Sequence, residues 1–255
     1  MTTTPRAQRL VARAWIRKMA NGESGGSQPH LFSTDDGEYM VKVLNNPQGS
    51  YVLANELMAG LCLHWLGGRH TRTAVVDVPQ SIISATPDAK FDHGAPLDHG
   101  LAFGSEYVQS LPQDAADASL IDNLADVAAA MVLDTWLWNT DSRQYRLEPS
   151  TTSPGRYRFV PVDQGHCFNA NWTPDTLNTA PAVGVVGPAT PVSAAQVAPI
   201  SVRLRTFTST DAGAIVDEVP DPWLDAPRKV SVADFMLRRA AATADVLDAA
   251  YPNGS

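Results

Sequence analysis

EYMVKVL, residues 38–44, is typical of a β-strand, because β-branched and aromatic residues suit a pleated surface. Lys42 points to the opposite face of this strand from its two valines. The preceding residues, Thr34-Asp35-Asp36-Gly37, supply an Asp-Gly turn, and His30-Leu31-Phe32-Ser33 supplies a second short strand. Together these segments predict a β-hairpin.

The segments around the hairpin predict a small β-rich unit with one helix. Apolar residues recur at helical spacing over about 50–66, and Gly67-Gly68 ends the pattern. Residues 73–84 and 101–109 are predicted to be strands, with a loop between them. Residues 7–20 are predicted to form a short helix or an irregular amphipathic segment.

Helices dominate the prediction for the second half of the chain. A long apolar helix is expected over 117–137, and a polar loop follows from Asn139 to Arg146. A strand over 156–163 ends at Asp163. Residues 173–200 are rich in Pro and Ala and predict irregular structure. A final amphipathic helix over 231–250 is expected to have Ser231 as its N-cap.

Composition sets limits on the class of protein. The chain has 255 residues, of which 44% are hydrophobic, and a formal net charge of -8, which predicts a globular protein. The order of the predicted elements, a β-rich part with one helix and then a helical part, predicts an α+β fold, and the sequence shows no internal repeats. No cluster of Lys and Arg offers a nucleic-acid surface. With two cysteines in the sequence, we expect no disulfide framework and a reducing compartment. No segment resembles a secretory signal or a membrane span, so we expect a cytoplasmic protein.

Three features near the hairpin are candidates for binding phosphate groups. The Gly- and Ser-rich turn 22–28 could bring backbone N–H groups close to phosphate oxygens, although such turns are more often structural. Lys42 is one of four lysines, and Glu56 follows it on the next helix. A strand Lys paired with a helix Glu can hold nucleotide phosphates, while a lone strand Lys usually faces solvent.

Two aspartates later in the chain complete the set. Asp141 follows the long helix. It could position a hydroxyl nucleophile. Alternatively, Asp141 and Asn139 could simply form a turn. Asp163 ends a hydrophobic strand and precedes Gly165, a position suited to binding magnesium beside phosphates. Each signal is weak alone, but their order along the chain is that of protein-kinase-like folds.

The chain thus resembles the HipA-like kinases, which are related to the phosphatidylinositol 3-/4-kinase side of the kinase superfamily. The resemblance covers roughly residues 10–170. It is carried by Gly25-Gly26-Ser27-Gln28-Pro29, Tyr39-Met40-Val41-Lys42-Val43, Leu53-Ala54-Asn55-Glu56-Leu57, Phe103-Gly104-Ser105-Glu106-Tyr107, Asp134 to Asp141, and Val162-Asp163-Gln164-Gly165-His166-Cys167-Phe168.

The resemblance implies a single bilobal kinase domain over 1–255, with a small β-rich N-lobe over about 1–108 and a mostly helical C-lobe over about 109–255. It implies ATP and Mg²⁺ as cofactors, and phosphoryl transfer to a hydroxyl on a protein or small molecule. Lys42, Glu56 and Asp141 would be catalytic, and Asp163 would bind the metal. The implied nucleotide contacts are Gly25, Gly26, Ser27, Gln28, Lys42, Glu106 and Val108. Ser27 is also a candidate for phosphorylation.

The catalytic loop departs from the family pattern, Asn-x-Asp-Arg-x-x-x-Asn. Asp141 is retained, but Ser142 replaces the Arg, with Arg143 adjacent. By spacing, Arg146 replaces the metal-binding Asn, and Arg has no lone pair to donate to a metal. Gln144 could substitute through its amide oxygen, although its spacing differs.

Three hypotheses follow for the function. The first is an active HipA-like kinase. The second is a nucleotide-binding pseudokinase that acts as a regulatory or interaction module. The third is an unrelated fold in which the motifs coincide by chance. The sequence leaves the phosphate acceptor, the oligomeric state and the role of residues 173–230 open.

Overall fold

The computed structural model describes residues 5–19 and 26–252 and shows a mixed α+β fold. The strands are β1 (Gln8–Lys18), β2 (His30–Thr34), β3 (Gly37–Lys42), β4 (Thr73–Val78), β5 (Gly100–Glu106), β6 (Leu111–Pro112), β7 (Gln144–Pro149) and β8 (Tyr157–Val162). The helices are α1 (Tyr51–Leu66), α2 (Gln80–Ala85), α3 (Leu124–Trp136), α4 (Pro174–Asn178), α5 (Ala194–Leu204), α6 (Ser209–Asp217) and α7 (Ala226–Ala250).

Five strands close into a barrel in the order β1-β2-β3-β5-β4. The predicted hairpin is confirmed as β2 and β3, with Thr34 paired to Gly37 across the turn. Lys42 lies at the end of β3, opposite Phe103 of β5. The strand prediction for 73–84 is only partly correct, because β4 ends at Val78 and α2 follows it.

The prediction of a helix or irregular segment over residues 7–20 is wrong, because Gln8–Lys18 forms β1. This strand pairs with β2 on one side and with β4 on the other. Its pairing register shifts between Ala12 and Ala14 and again between Trp15 and Arg17. Such bulges break the strict alternation of apolar and polar residues that identifies a strand in a sequence.

Helix α1 confirms the helix predicted over about 50–66, and it is buried along nearly its whole length. A Cβ atom on Gly60 would lie 2.4 Å from Thr73 Cγ2, so glycine allows the helix to approach β4 closely. Gly67 ends α1 with a left-handed φ of 83°. The helix therefore packs directly on the barrel and carries Asn55 and Glu56 into the interior.

A second sheet, in the order β6-β7-β8, packs against α3. The strand predicted over 156–163 is confirmed as β8. The helix predicted over 117–137 begins only at Leu124, because residues 118–120 form a separate 3₁₀ turn capped by Asp117. The loop expected from Asn139 to Arg146 ends at Gln144, where β7 begins, so Arg146 lies within a strand.

The C-terminal region is helical. Residues 173–200, predicted to be irregular, contain α4 and the first part of α5. The predicted last helix exists, but Ser231 is not its N-cap. Helix α7 begins at Ala226, and the Asp225 side chain accepts a hydrogen bond from Arg228 N at 3.0 Å. Ser231 instead donates to the Pro227 carbonyl within the helix.

Among the described residues, the buried apolar side chains form three clusters. One fills the barrel, the largest surrounds α1, α3 and the C-terminal helices, and the smallest lies between α3 and the second sheet. In the described part of the chain, no helix combines the length and the apolar character that a bilayer crossing requires.

Candidate functional site

A cleft of about 820 Å³, its open mouth included, lies between the barrel and the second sheet. This volume is in the range of small-molecule sites. The barrel side contributes Met40, Lys42, Phe103, Ser105 and Glu106, and the opposite side contributes Gln144, Arg146, Val160, Val162 and Asp163.

Lys42, Glu56 and Asp163 meet at one end of this cleft. Lys42 Nζ forms ion pairs with Glu56 Oε1 and, at 2.9 Å, with Asp163 Oδ1. The second oxygen of Glu56 accepts a hydrogen bond from Gln164 N at 3.0 Å. Strand β3, helix α1 and the end of β8, which are far apart in sequence, thus supply one charged cluster.

Burial and charge set the pKa values in this cluster. Burial disfavours the charge of Lys42, but Asp163 and Glu56 outweigh that effect and raise its pKa above the ordinary value. Burial raises the pKa of Glu56, against the opposing effect of Lys42. For Asp163, burial is opposed by Lys42, which lowers its pKa. The cluster therefore holds a permanent cation between two carboxylates.

The turn after β8 is fixed by helix α1. Asn55 Nδ2 donates to the carbonyls of Gly165 and Ala170, each at 2.9 Å, and its side-chain oxygen accepts from Trp172 Nε1 at 3.0 Å. Asp163 has a φ of 55°, which is unusual for a residue other than glycine. Strain of this kind persists only where the surrounding structure imposes it, so the position of Asp163 is well determined.

The Gly-rich turn is described only from Gly26 onward, and Gly25 lies outside the described residues. Ser27 lines the cleft, and its buried Oγ has no hydrogen-bond partner among the described residues. Its carbonyl accepts from Asn46 Nδ2 at 2.6 Å. Gln28 turns away from the cleft, because its Oε1 accepts from Asp92 N at 2.8 Å.

The other end of the cleft lies beside residues 105–110. Glu106 lines it, with its carboxylate ion-paired to Arg72 at 2.8 Å. Val108 lines it as well, and its carbonyl accepts a hydrogen bond from Ser110 Oγ at 3.1 Å. Thr71 and Ser105 face the same space with their hydroxyl groups 2.6 Å apart.

Asp141 does not join the charged cluster through any contact in the described part of the chain. It is exposed, and its carboxylate accepts from Ser142 N at 2.8 Å. It lines a neighbouring hollow that shares Gln144, Arg146 and Val162 with the cleft. The structure therefore brings together Lys42, Glu56 and Asp163, and places Asp141 in the adjoining hollow.

A buried ion pair holds the Asp141 loop. Arg143 Nε donates to Asp134 Oδ2 at 2.9 Å, and its Nη1 donates to the Val162 carbonyl at 3.1 Å. Asn139 Nδ2 also donates to Asp134, and its side-chain oxygen accepts from Asp141 N at 3.1 Å. Arg143 thus connects the loop to the residue that precedes Asp163.

Gln144 and Arg146 line the cleft from the second-sheet side. Gln144 lies opposite Val162 in the pairing of β7 with β8, next to Asp163. Arg146 lies opposite Val160, and its guanidinium binds Ser110.

The donors present fit a magnesium ion shared with a nucleotide. Mg²⁺ prefers oxygen ligands and is often bound by one or two carboxylates together with substrate phosphates. Asp163 is a carboxylate at the cleft, and Gln144 adds an amide oxygen nearby. Within residues 5–19 and 26–252, no three His, Cys, Asp or Glu side chains form a cage that would hold a metal alone.

Two cleft residues, Thr71 and Ser110, had no sequence signal. They reach the cleft only through strand pairing and loop packing. The role of Arg143 could have been suspected from its place beside Ser142, which stands where the HipA-like pattern has an Arg, but its partner Asp134 could not.

Comparison with solved structures shows a protein-kinase-like fold. The proinflammatory kinase CtkA of Helicobacter pylori is similar with a TM-score of 0.57 and 14% identity, over 89% of this chain and 92% of that chain. The golgi casein kinase is similar with a TM-score of 0.53 and 10% identity, over 99% and 76%. Neither a protein-family model nor a curated protein sequence matches. At these identities the likeness concerns the fold alone.

Proposed function

We propose that this protein is an ATP-dependent kinase of the HipA-like type, in which a β-rich N-lobe and a helical C-lobe enclose the nucleotide. The observation that carries the proposal is Lys42 held between Glu56 and Asp163 inside the cleft. Lys paired with a helix Glu beside a strand-end Asp is the arrangement that positions nucleotide phosphates in kinases. The kinase-like fold supports this interpretation.

Each residue then has a role that follows from its position. Lys42 binds phosphate oxygens, and Glu56 keeps its ammonium oriented. The backbone of Gly26, Ser27 and Gln28 covers the phosphates, with Ser27 Oγ free to donate a hydrogen bond. A contact of Gly25 with the nucleotide stays a prediction from the sequence. Glu106 and Val108 lie beside the nucleobase. Asp163 would hold Mg²⁺, which would neutralise charge on the phosphates.

We propose that Asp141 acts on the hydroxyl group that accepts the phosphoryl group. It lies in the hollow that adjoins the cleft, where it can orient a hydroxyl and accept its proton. A serine or threonine of a protein is the acceptor we propose, with a small-molecule hydroxyl as the alternative. A cytoplasmic location stays a prediction from the sequence.

A phosphotransfer assay with labelled ATP and Mg²⁺ tests this function, with autophosphorylation and added protein acceptors as readouts. We expect Asp163→Asn to lose about 100-fold or more of the transfer rate. Asp77→Asn, at an exposed aspartate of β4 outside the cleft, is the matched control and should transfer like the wild type. Equal transfer by all three proteins would refute the proposal.

A nucleotide-binding pseudokinase is the second candidate, and it is favoured by the exposed position of Asp141 and by Arg146 at the spacing of the metal-binding Asn. It predicts a rise in melting temperature with ATP and Mg²⁺ but no transfer. Asp141→Asn separates the two candidates. In an active kinase it abolishes transfer and keeps the ATP-induced stabilisation, whereas in a pseudokinase it changes neither measurement.

A further inference from the structure

Arg146 lies at the opposite end of the cleft from the charged cluster. In β7 it pairs with Val160 of β8, three residues before Asp163. At about 3.3 Å per residue, this separates the two positions by roughly 10 Å along the strand. Arg146 is half-buried and lines the cleft, as do Met40 and Val108.

Two hydrogen bonds orient the guanidinium away from Asp163. Its Nε donates to Ser110 Oγ at 3.2 Å, and its Nη2 donates to the Ser110 carbonyl at 3.0 Å. The Ser110 hydroxyl in turn donates to the Val108 carbonyl at 3.1 Å. The planar group is therefore fixed against the segment that follows β5, and not against the residues expected to bind phosphate.

The charge of Arg146 has no carboxylate partner in the described part of the chain. Glu106, the acidic residue at this end of the cleft, is ion-paired with Arg72 instead. The guanidinium is therefore not engaged in an ion pair, and its two hydrogen bonds to Ser110 fix its plane. The flat face of a guanidinium is well suited to stack on an aromatic ring. Because Arg146 lines the cleft, a planar ligand bound there could lie against this face.

We propose that Arg146 is a specificity-determining residue that forms a cationic floor beneath the nucleobase, with Met40 of β3 on the opposite side of the ring. This inference rests on the proposed nucleotide-binding function. Stacking of a guanidinium on a purine ring adds affinity through the nucleoside and none through the phosphates. Arg146 therefore acts on the base, although its spacing in the sequence suggests the metal site.

The test compares the affinities of ATP and of inorganic tripolyphosphate, each with Mg²⁺, by isothermal titration calorimetry. We expect Arg146→Met to weaken ATP binding by about 10-fold and to leave tripolyphosphate binding unchanged. Arg146→Lys, which keeps the charge but loses the planar group, should weaken ATP binding to a lesser extent. Arg158→Met, at a β8 arginine outside the cleft lining, is the matched control and should bind both ligands like the wild type.

Each outcome of this experiment supports or contradicts the proposed role of Arg146. If Arg146→Met loses affinity for tripolyphosphate as much as for ATP, the side chain acts on phosphates and the inference is wrong. If the variant binds ATP as the wild type does, the inference is also wrong. If the wild type binds neither ligand, the proposed function itself fails, and the inference fails with it. Melting temperatures of all variants without ligand verify that each is folded.

Discussion

At the scale of single residues, His30 is a buried base whose environment favours the neutral form. Its Nδ1 accepts a hydrogen bond from Trp15 Nε1 at 3.0 Å, and its ring packs edge-on against Phe91. Burial, with a smaller effect from Lys18, lowers the pKa of His30 to about 4. Protonation at Nδ1 would turn an acceptor into a donor that faces another donor.

This pKa predicts acid sensitivity of the fold. In the unfolded chain His30 takes up a proton near pH 6.5, whereas in the folded protein it does so only near pH 4. The unfolded state binds more protons between these values, so stability falls as the pH is lowered through this window, by about 3 kcal/mol in total. Urea unfolding at several pH values measures the effect.

His30→Gln should flatten the dependence of stability on pH between 6.5 and 4. The control is His93→Gln, at an exposed histidine, which should keep the slope of the wild type. An unchanged slope in His30→Gln would show that this side chain is not held neutral.

Lys42 is the second residue whose burial makes a strong prediction. Lys42→Met leaves Glu56 and Asp163 facing each other without a cation, so we expect a loss of about 3–5 kcal/mol in the free energy of unfolding at pH 7. Burial raises the pKa of Glu56, so a proton can replace the missing cation and the loss should become smaller as the pH is lowered.

A double variant tests whether the loss comes from repulsion between Glu56 and Asp163. Adding Glu56→Gln to Lys42→Met removes one of the two opposed carboxylates and should recover part of the lost stability. If the double variant is less stable than Lys42→Met alone, repulsion between the carboxylates is not the cause. Neither variant should show stabilisation by ATP.

At the scale of elements, the start of α7 shows which of two residues becomes the N-cap of a helix. Asp225 and Ser231 are both acceptable N-cap residue types. Asp225 is followed by Pro227, whose fixed φ suits the first turn of a helix. The helix therefore begins about one and a half turns before Ser231, and residues 226–230, which are exposed or half-buried, form its start.

Replacement of each of these two residues by alanine should lower the free energy of unfolding by a different amount. Asp225→Ala removes the acceptor for Arg228 N and should lower the free energy of unfolding by about 1 kcal/mol. Ser231→Ala changes a position within the helix and should stay within about 0.5 kcal/mol of the wild type. Thermal or urea unfolding distinguishes them, and a larger loss in Ser231→Ala would contradict the helix start.

At the scale of the whole molecule, Asn55 links α1 to the segment that carries Asp163. It is fully buried, and its amide meets two carbonyls and one indole N–H. Since α1 also packs on the barrel, this single side chain connects the first sheet with the turn after β8. The site geometry and the stability of the molecule therefore depend on the same contact.

Removing that contact should weaken the entire fold. Asn55→Leu leaves three buried polar groups without partners, and we expect a loss of about 3 kcal/mol or more. Trp172→Phe, which removes only one of the bonds, should lose less. Circular dichroism and tryptophan fluorescence should report one shared, shifted unfolding transition for Asn55→Leu. Two separate transitions would show that the two regions are not coupled through Asn55.

The sequence by itself determined the parts of the molecule that rest on local rules. The β2–β3 hairpin follows from strand residues on either side of an Asp-Gly turn, and α1 follows from apolar spacing with a terminal glycine. The strand before Asp163 was equally clear. Because Lys42, Glu56 and Asp163 lie on or next to these elements, three residues of the candidate site could be predicted.

The other elements and contacts were decided only by the tertiary structure, because they depend on pairing with residues that are distant in the chain. β1 is a strand since β2 and β4 pair with it, despite bulges that hide its alternation. The polar side chains that orient the cleft were equally undetermined, since Arg143 finds Asp134 and Arg146 finds Ser110 only after folding. A buried polar group must be satisfied, but the sequence does not state by which partner.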